Sequence, residues 1–238
     1  MTTALISDLH GNLVALDAVL ADAERAGVDR VVCLGDVATL GPRPREVLAR
    51  LQALGCACIV GNHDAFLLDA ELIRSYTETP IVVDAVDWCR AQLSAGELDF
   101  VRTFVPELTL PLGGDATLFC YHGTPRSHME DLSPTATADE LDVLLDGHTG
   151  DVMAGGHTHL QMLRQHRGTL VVNPGSVGMP FREAPIGTPP TILPHAEYAI
   201  VAANEVRLRR VPLSKTALRD QAASCDFPLR DWLVAQYA

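Results

Sequence analysis

Two histidines separated by one residue, His157 and His159, follow a pair of glycines in the segment AGGHTHLQ, residues 154–161. On an extended or turning backbone, side chains at positions i and i+2 can reach two different metal ions. A surface loop without a function also tolerates such a pair. A metal site is therefore indicated only if the rest of the chain supplies the other ligands.

Four further segments contain side chains that bind metal ions, and each segment follows an apolar run. The candidates are Asp8 and His10 in SDLHGN, Asp36 in LGDVATLGP, Asn62 and His63 in VGNHD, and His122 in YHGTP. Taken singly, an aspartate is often a helix N-cap, an asparagine a turn residue and a histidine a hydrogen-bonded core residue. Seven nitrogen and oxygen donors at predicted strand ends, with no cysteine among them, instead suit two transition-metal ions.

Three strand–helix units at the start of the chain are expected to position the first of these residues. Buried strands that end in polar residues are predicted within residues 2–7, 30–36 and 56–64. Helices closed by a glycine are predicted over residues 13–27 and 44–55. Successive units of this kind favour a parallel sheet, in which ligands bind beyond the carboxyl ends of the strands.

The second half of the chain is predicted to be more mixed. Strand-like runs occur at residues 116–123, 151–157, 169–175, 197–203 and 206–213. The last two runs, separated by Asn204, predict an antiparallel hairpin. Residues 65–112 are predicted to be helical, and residues 187–194 form a proline-rich loop.

Composition limits the classes of partner. A hydrophobic content of 47% with 20% charged residues is typical of a folded globular protein, and 238 residues suffice for a sizeable core. The formal net charge of −12, without a Lys/Arg-rich run, argues against stable nucleic-acid binding and against docking on anionic membranes. A small anionic substrate is compatible with this charge, because bound metal ions reverse the field locally.

Location and thiol chemistry follow from the same composition. The segment MTTALISDLHGN contains no charged leader before a long apolar stretch, and we expect a cytoplasmic protein. The six cysteines are scattered, which suits buried or unreactive thiols in a reducing compartment. The sequence indicates no particular oligomeric state.

The motifs DxH, GDxxxxGP, GNHD, YHG and GHTH, in this order, resemble those of the calcineurin-like metallophosphoesterases. They are most similar to the small bacterial branch that contains the YfcE-type phosphodiesterases, and the resemblance covers about residues 4–178. It implies an α/β fold, a four-layer α/β-β/α sandwich with two mixed β-sheets and a dinuclear metal site at the strand ends.

The resemblance also implies roles for single residues. One metal ion would be held by Asp8, His10 and His159. The other ion would be held by Asn62, His122 and His157. Asp36 would bridge the two ions, and His63 matches the family's non-ligand histidine beside the leaving group. We therefore assign His63 and Asp36 to catalysis. The cofactors would be two divalent transition-metal ions, with Mn expected first and Fe, Ni, Co or Zn as alternatives.

The activity implied is hydrolysis of small phosphodiesters or nucleotides by attack of a metal-bridging hydroxide. Hydrolysis of dinucleoside polyphosphates or of phosphomonoesters is the alternative within the same chemistry. A non-catalytic interaction scaffold of the same fold is expected to have lost ligands, and none is missing here. A structural zinc site would usually be richer in cysteine.

The sequence departs from the family pattern at some positions, which limits the family properties that can be assigned to this chain. Val60 and Gly61 stand where the protein-phosphatase branch has an arginine, so phosphoproteins are disfavoured as substrates. We expect a single domain over residues 1–238, with residues 65–112 as a helical cap insertion and residues 213–238 as an unassigned tail.

Several other polar residues near the motifs have weaker assignments. Arg126 and His128 are candidates for substrate contact, and Asn173 and Ser176 are candidates for supporting or lining the site. Three histidines are expected to be structural or solvated, without partners: His148, His166 and His195. The basic run RLRR, residues 207–210, is expected to form a solvated face of a strand.

Overall fold

The computed structural model describes residues 1–203 and 205–238, which form two five-stranded sheets with helices on their outer faces. The strands are β1 (Thr3–Ile6), β2 (Arg30–Cys33), β3 (Ala57–Cys58), β4 (Leu108–Gly113), β5 (Ala116–Cys120), β6 (Val152–Ala154), β7 (Met162–His166), β8 (Thr169–Asn173), β9 (His195–Ala202) and β10 (Glu205–Pro212). The helices are α1 (Leu13–Arg25), α2 (Pro44–Leu54), α3 (Asn62–Leu68), α4 (Glu71–Tyr76), α5 (Pro80–Gln92), α6 (Ala95–Val101), α7 (Ala138–Leu145), α8 (Lys215–Ala223) and α9 (Arg230–Gln236).

The first sheet has the order β10-β9-β1-β2-β3. Strands β1, β2 and β3 are parallel, as predicted, because α1 and α2 return the chain to the same edge. The side chain of Asn12 accepts a hydrogen bond from the Ala15 amide at the start of α1, and Gly55 ends α2 in the left-handed conformation that glycine favours.

The second sheet has the order β4-β5-β6-β8-β7. Its three central strands, β5, β6 and β8, are parallel, whereas β4 and β7 pair antiparallel at the two edges. The carboxyl ends of β5 and β6 therefore lie side by side. Both sheets are mixed, which confirms the predicted architecture.

Side chains alternate between two cores along the strands, as strand geometry requires. In β1, Ala4 and Ile6 pack against α1 and α2, whereas Leu5 packs against the second sheet. In β5, Leu118 belongs to the core between the sheets, and Phe119 packs with residues of α7. The layers therefore run helix, sheet, sheet, helix, as the resemblance implied.

The segment predicted to be helical is shorter than expected. Helices α3 to α6 end at Val101, and residues 108–113 form strand β4. The prediction was wrong there because Pro111 was interpreted as a break between elements. In the structure β4 is an edge strand, and proline is tolerated at the edge of a sheet. Strand β7 was also not predicted. It pairs with β8 through a tight turn at Arg167 and Gly168.

The predicted hairpin near the end of the chain is confirmed. Strands β9 and β10 pair antiparallel from Ala202 and Glu205 outward, and Asn204 lies outside the described residues. The run RLRR lies on β10, and only some of its side chains are exposed to solvent. Arg209 is half-buried and donates to Asp22, so the prediction was wrong for this residue.

Helices α8 and α9 of the C-terminal segment pack against the body of the protein. Gln221 donates a hydrogen bond to Asn12 Oδ1 and accepts one from the Val14 amide, at 2.9 Å each. Gln236 accepts a hydrogen bond from the Ile192 amide at 3.0 Å. Among the described residues, the helices lack the length and apolar character needed to cross a bilayer. The single domain over residues 1–238 stays a prediction.

Candidate metal centre

All seven predicted ligands lie just beyond the strands that precede them, where the two sheets meet. Asp8 and His10 follow β1, Asp36 follows β2, Asn62 begins α3 after β3, His122 follows β5, and His157 and His159 follow β6. Six of them are buried, and His157 is half-buried. The fold thus brings residues from five separate segments to one place.

The first group of ligand atoms comes from Asp8, His10 and His159. The Nε2 atoms of His10 and His159 are 3.1 Å apart, and Asp8 Oδ1 lies 3.4 Å from His159 Nε2. Asp8 Oδ1 is buried and has no hydrogen-bond partner among the described residues. Such an orphaned carboxylate oxygen is costly in a protein interior unless a cation is bound to it.

The second group comes from Asn62, His122 and His157, and Asp36 joins it to the first. Asn62 Oδ1 lies 3.1 Å from His122 Nε2 and 3.0 Å from His157 Nδ1. Asp36 Oδ1 lies 3.5 Å from His122 Nε2, and its Oδ2 lies 3.9 Å from His10 Nε2. One carboxylate therefore faces both groups, which is the position of a bridging ligand.

Hydrogen bonds to backbone carbonyl oxygens fix the tautomers of three histidines. The Nδ1–H groups of His10, His122 and His159 donate to the carbonyl oxygens of Thr39, Leu34 and Met179 respectively. Because a carbonyl oxygen only accepts, each of these rings points an Nε2 lone pair inward when it is neutral, as a metal-bound imidazole must be. The facing Nε2 atoms of His10 and His159 consequently have no hydrogen between them, and the arrangement fits a bound cation.

His157 is oriented the other way round. Its Nε2 lies 3.2 Å from Asp131 Oδ1, and its Nδ1 faces Asn62. Since a carboxylate accepts the Nε2–H, the Nδ1 lone pair is left for a metal ion. Asp131 was not predicted from the sequence, because nothing in the surrounding segment MEDLSP resembles a ligand motif.

Five of the ligand residues have backbone angles that are unusual for residues with a side chain. The φ angles are 54° for Asp8, 44° for His10, 58° for Asp36, 70° for His157 and 58° for His159. This left-handed region is sparsely populated outside glycine and costs free energy at each position. Its concentration in one cluster indicates that the fold maintains these conformations for a function.

Glycines allow the ligand segments to approach each other closely. A Cβ atom at Gly61 would lie 2.1 Å from Asp36 Oδ1, and one at Gly156 would lie 1.9 Å from Ser7 Oγ. Neither position has room for a side chain. The glycines of GNHD and GGHTH are therefore required by close contact around the carboxylates of Asp36 and Asp8.

Asp64, the last residue of GNHD, positions the loop that contains Asp36. Its carboxylate accepts hydrogen bonds from the backbone amides of Asp36, Val37 and Gly61 at 2.8 to 3.0 Å. Burial and the nearby Asp36 carboxylate raise the pKa of Asp64 to about 7, although the three amides oppose this shift. Asp64 therefore holds Asp36 in place without being a ligand itself.

Burial and charge set the protonation of the ligands. Burial lowers the pKa of His10 well below its usual range and also lowers the pKa of His159. Burial alone would raise the pKa of Asp36, but the imidazoles of His122 and His63 hold it well below the usual range. Burial opposes charge on His122, whereas the Asp36 carboxylate raises the pKa of His122 to about 9. The centre therefore stabilises positive charge beside Asp36.

His63 lies among the ligands but is oriented differently. Its backbone amide donates to Asp36 Oδ1 at 2.9 Å, and its ring packs edge-on against His10 and Phe66. Its Nδ1 is buried without a hydrogen-bond partner among the described residues, and the side chain lines an open cleft. Burial lowers the pKa of His63 to about 4.

The sequence model of the calcineurin-like phosphoesterase superfamily domain matches residues 1–189 of the chain. This match covers both sheets up to β8 and all seven ligand residues. The chain belongs to the calcineurin-like phosphoesterase superfamily. The membership predicted from the five motifs is thus confirmed, and it supports metal-dependent hydrolysis of phosphate esters.

Three relatives illustrate the range of this superfamily. A metallophosphoesterase from Sphaerobacter thermophilus is 28% identical in sequence, with a TM-score of 0.77 over 100% of this chain and 98% of that chain. An uncharacterized protein of Methanocaldococcus jannaschii is 29% identical over 74% of this chain and 76% of its own length. A symmetrical bis(5'-nucleosyl)-tetraphosphatase of Bordetella pertussis is 33% identical, but over only 39% of this chain and 40% of its own.

Asn173 and Ser176, which follow GGHTH in the sequence, form hydrogen bonds to the backbone of the segments that contain candidate ligands. Asn173 donates to the Gly156 carbonyl oxygen at 2.6 Å and to Thr158 Oγ1 at 3.1 Å, which holds the segment between the two histidines. Ser176 Oγ donates to the Asp8 carbonyl oxygen at 2.7 Å. Both residues are buried, and neither belongs to the lining of the cleft.

The other polar residues singled out from the sequence lie elsewhere. Arg126 pairs with Glu130 and, like the half-buried His128, is not part of the cleft lining. The expectation that the remaining histidines lack partners was wrong for all three. His166 lies 2.8 Å from Asp142, and His195 lies 3.0 Å from Glu197. His148 Nδ1 lies 3.1 Å from the Leu145 carbonyl oxygen, and its ring stacks on Phe119.

A cleft of about 940 Å³ opens above the ligands. Its walls come from four parts of the chain that are distant in sequence, one of which is the segment of Asp131 and Ser133 before α7. Tyr76 and Ile81 belong to the α4–α5 segment, Phe181 and Ile186 to the loop after β8, and Trp232 to α9. These wall residues were not predicted, because no local pattern distinguishes them from ordinary core or surface residues.

Proposed function

We propose that this chain is a dinuclear metal-dependent phosphoesterase that hydrolyses small phosphodiesters or nucleotides. One observation supports the dinuclear arrangement above the others. The two oxygens of Asp36 face different ligand groups, at 3.5 Å from His122 Nε2 and 3.9 Å from His10 Nε2. A carboxylate in this position serves both groups at once.

One metal ion would be held by Asp8, His10 and His159, the other by Asn62, His122 and His157, with Asp36 shared. When bound, two divalent ions supply an activated water nucleophile and neutralise the phosphoryl oxygens. Of the seven proposed ligands, only Asp8 and Asp36 are negatively charged. With two divalent ions bound, the floor of the cleft would therefore have a net positive charge, although the protein as a whole is acidic. A phosphate ester is attracted to such a floor.

The chain's own contribution to bond cleavage is assigned to His63. This side chain lines the cleft beside the ligands, whereas its backbone amide is tied to Asp36. From there the protonated ring can donate a proton to the departing oxygen of the ester, and the neutral ring can donate a hydrogen bond to it. Since the pKa of His63 is lowered to about 4 in the metal-free protein, proton donation requires that the bound phosphate raise it. Asp131 orients His157 through the Nε2–H group and leaves Nδ1 free to bind metal.

Hydrolysis of dinucleoside polyphosphates is the second candidate function. The similarity to the Bordetella pertussis tetraphosphatase supports it, since 33% identity extends over 111 residues of the two chains. Small phosphodiesters are favoured by the cleft, whose walls are mainly apolar. Phosphoproteins are disfavoured, because Val60 precedes Gly61 and Asn62 where the protein-phosphatase branch has an arginine.

A reconstitution assay tests the proposal. Metal-free protein is loaded with Mn, Fe, Ni, Co or Zn and assayed with para-nitrophenyl phosphate, bis(para-nitrophenyl) phosphate, cyclic nucleotides and diadenosine tetraphosphate. We expect diester hydrolysis only after metal is added, with Asp36→Asn as an inactive control of the same fold. Absence of hydrolysis with every metal, in a protein that binds the ions, would favour the non-catalytic scaffold.

A further inference from the structure

We propose that the cleft selects esters with a single phosphate whose retained ester group, the one that does not leave, is a nucleoside, and discriminates against dinucleoside polyphosphates. This inference rests on the proposed function, because it names the substrate class of the same site. Its basis is the chemistry of the cleft walls, which the ligand motifs do not determine.

Aromatic side chains line the cleft on different sides. Phe181 stacks on the ligand His159, with ring centroids 4.2 Å apart and planes inclined by 23°. Tyr76 packs edge-on towards His157, with ring centroids 6.5 Å apart. Trp232 of α9 is half-buried and completes the wall. Flat rings of this kind can serve as stacking platforms for bases. Phe181 and Tyr76 lie beside candidate ligand histidines, and Trp232 lines the same cleft.

The charges of the walls disfavour a long phosphate chain. Within the described residues, no lysine or arginine lines the cleft. Arg182, next to Phe181 in sequence, pairs with Glu183 instead. Away from the metal ligands, the charged lining residue is Asp131, whose side chain is 76% exposed. Phosphates beyond the one at the metal ions would therefore lie against apolar walls and a carboxylate, without a neutralising cation.

Hydroxyl groups in the same walls favour a nucleoside over an alkyl chain. Thr79, Ser133 and Thr188 line the cleft together with the aromatic residues. Ser133 Oγ already bonds to Thr135 Oγ1 at 2.9 Å, whereas Thr79 and Thr188 are exposed to solvent. A base or a sugar has donors and acceptors that can pair with the hydroxyls of Thr79 and Thr188, whereas an alkyl chain has none. A pocket that combines apolar walls with a few polar groups is typical of small-ligand sites.

The first test compares two substrates with the same leaving group, thymidine para-nitrophenyl phosphate and methyl para-nitrophenyl phosphate. In the Mn-loaded protein we expect a higher kcat/KM for the thymidine ester than for the methyl ester. Trp232→Leu should reduce this preference roughly 5- to 100-fold, the range expected when a base loses an aromatic stacking partner. Diadenosine tetraphosphate should be a poorer substrate than the thymidine ester.

Trp88 provides the matched control, since the chain has two tryptophans and both are half-buried. Trp88 packs against Phe227, with ring centroids 5.7 Å apart, and does not belong to the cleft lining. Trp88→Leu should leave the preference for the thymidine ester unchanged. Thermal unfolding of both variants shows whether either change disturbs the fold, and Trp→Met, which also removes the aromatic ring, replaces a variant that fails to fold.

Fluorescence supplies a second measurement that does not depend on turnover. In the Trp88→Leu protein, Trp232 is the remaining tryptophan and reports directly on the cleft. Thymidine monophosphate should quench its emission in a saturable way, whereas methyl phosphate should not. Stacking of the base on the indole is the physical cause.

The outcomes separate this inference from the proposed function. Metal-dependent hydrolysis of both nitrophenyl esters at equal efficiency, with no quenching, would overturn the aromatic subsite and leave the phosphoesterase intact. Better hydrolysis of diadenosine tetraphosphate, or of a long-chain alkyl nitrophenyl phosphate, would also overturn it. Absence of hydrolysis of both nitrophenyl esters with all metals would instead contradict the proposed function itself.

Discussion

At the scale of single residues, the centre is organised by which nitrogen of each histidine is free. His10, His122 and His159 commit Nδ1–H to backbone carbonyls and present Nε2, whereas His157 commits Nε2 to Asp131 and presents Nδ1. The second partner of a ligand histidine fixes its tautomer and orientation. The neighbours His157 and His159 can therefore serve different ions, as their spacing in the sequence suggests.

The effect of replacing His63 on the rate should depend on the leaving group of the ester, which distinguishes His63 from the metal ligands. His63→Ala should retain both ions and slow hydrolysis of alkyl esters by about 10²- to 10⁴-fold, the usual contribution of general acid catalysis. Nitrophenyl esters should lose far less, because nitrophenolate departs without a proton. His122→Ala should lose metal and slow both ester types alike. The measurements are kcat/KM for the two ester types and metal content.

Equal losses for the two ester types in His63→Ala, at full metal occupancy, would contradict this role. His63 would then orient or stabilise the phosphoryl group.

The candidate ligands and their order along the chain could be picked out from the sequence, whereas the residues that orient them could not. Each ligand belongs to a short motif, so residues such as Asp8 and His122 can be recognised from their immediate neighbours in the chain. Asp131 and Trp232 depend on distant contacts, which local sequence does not encode. Backbone angles such as φ 70° at His157 could not be predicted from the sequence either, because the motif shows only that two glycines precede this residue.

At the scale of elements, the strand ends and their glycines determine where the ligands meet. Gly61 has ordinary extended backbone angles, φ −89° and ψ 172°, so only space forbids a side chain there. Gly61→Ala would place a Cβ atom 2.1 Å from Asp36 Oδ1 and must displace this carboxylate. We expect metal affinity to fall about 10- to 100-fold, as for other disturbed ligand supports.

Gly96→Ala is the control for Gly61→Ala, since nothing lies within 4 Å of a Cβ atom built there. Gly96 lies in helix α6, where alanine is the better helix former, so stability should be unchanged or slightly higher. Calorimetric titration with Mn measures the affinity of both variants. Equal affinities would show that the Asp36 loop tolerates the added methyl group.

The elements themselves were predicted unevenly. The parallel β1–β2–β3 core follows from apolar runs with helical segments between them, a strong pattern. Strand β4 contains Pro111, which is acceptable only because the strand lies at an edge, and edge position is a property of the assembled sheet. Strand β7 lies at the edge of its sheet, and its run MLRQH has buried residues only at its two ends, so it lacks the apolar pattern that identifies a strand.

At the scale of the whole molecule, metal binding should stabilise the fold. The facing lone pairs of His10 and His159 and the orphaned Asp8 oxygen oppose the folded state until a cation is present. Mn at 100 times its dissociation constant contributes about 2.7 kcal/mol per site, which raises the Tm of a chain of this size by roughly 5–10 °C.

Thermal unfolding with Mn and with EDTA measures this stabilisation, and Asp36→Asn should show a smaller difference between the two conditions. Equal Tm values in Mn and EDTA would indicate that the clustered ligands do not form a metal site.

The most direct test of the dinuclear centre is a titration of metal-free protein with Mn, in which bound Mn per chain and hydrolysis of bis(para-nitrophenyl) phosphate are measured in the same samples. Because Asp36 faces both ligand groups, we expect binding to saturate near two ions per chain, with activity following the second ion. Asp36→Asn should lower binding at both places. Saturation at one ion per chain, or full activity without metal, would contradict a dinuclear phosphoesterase centre.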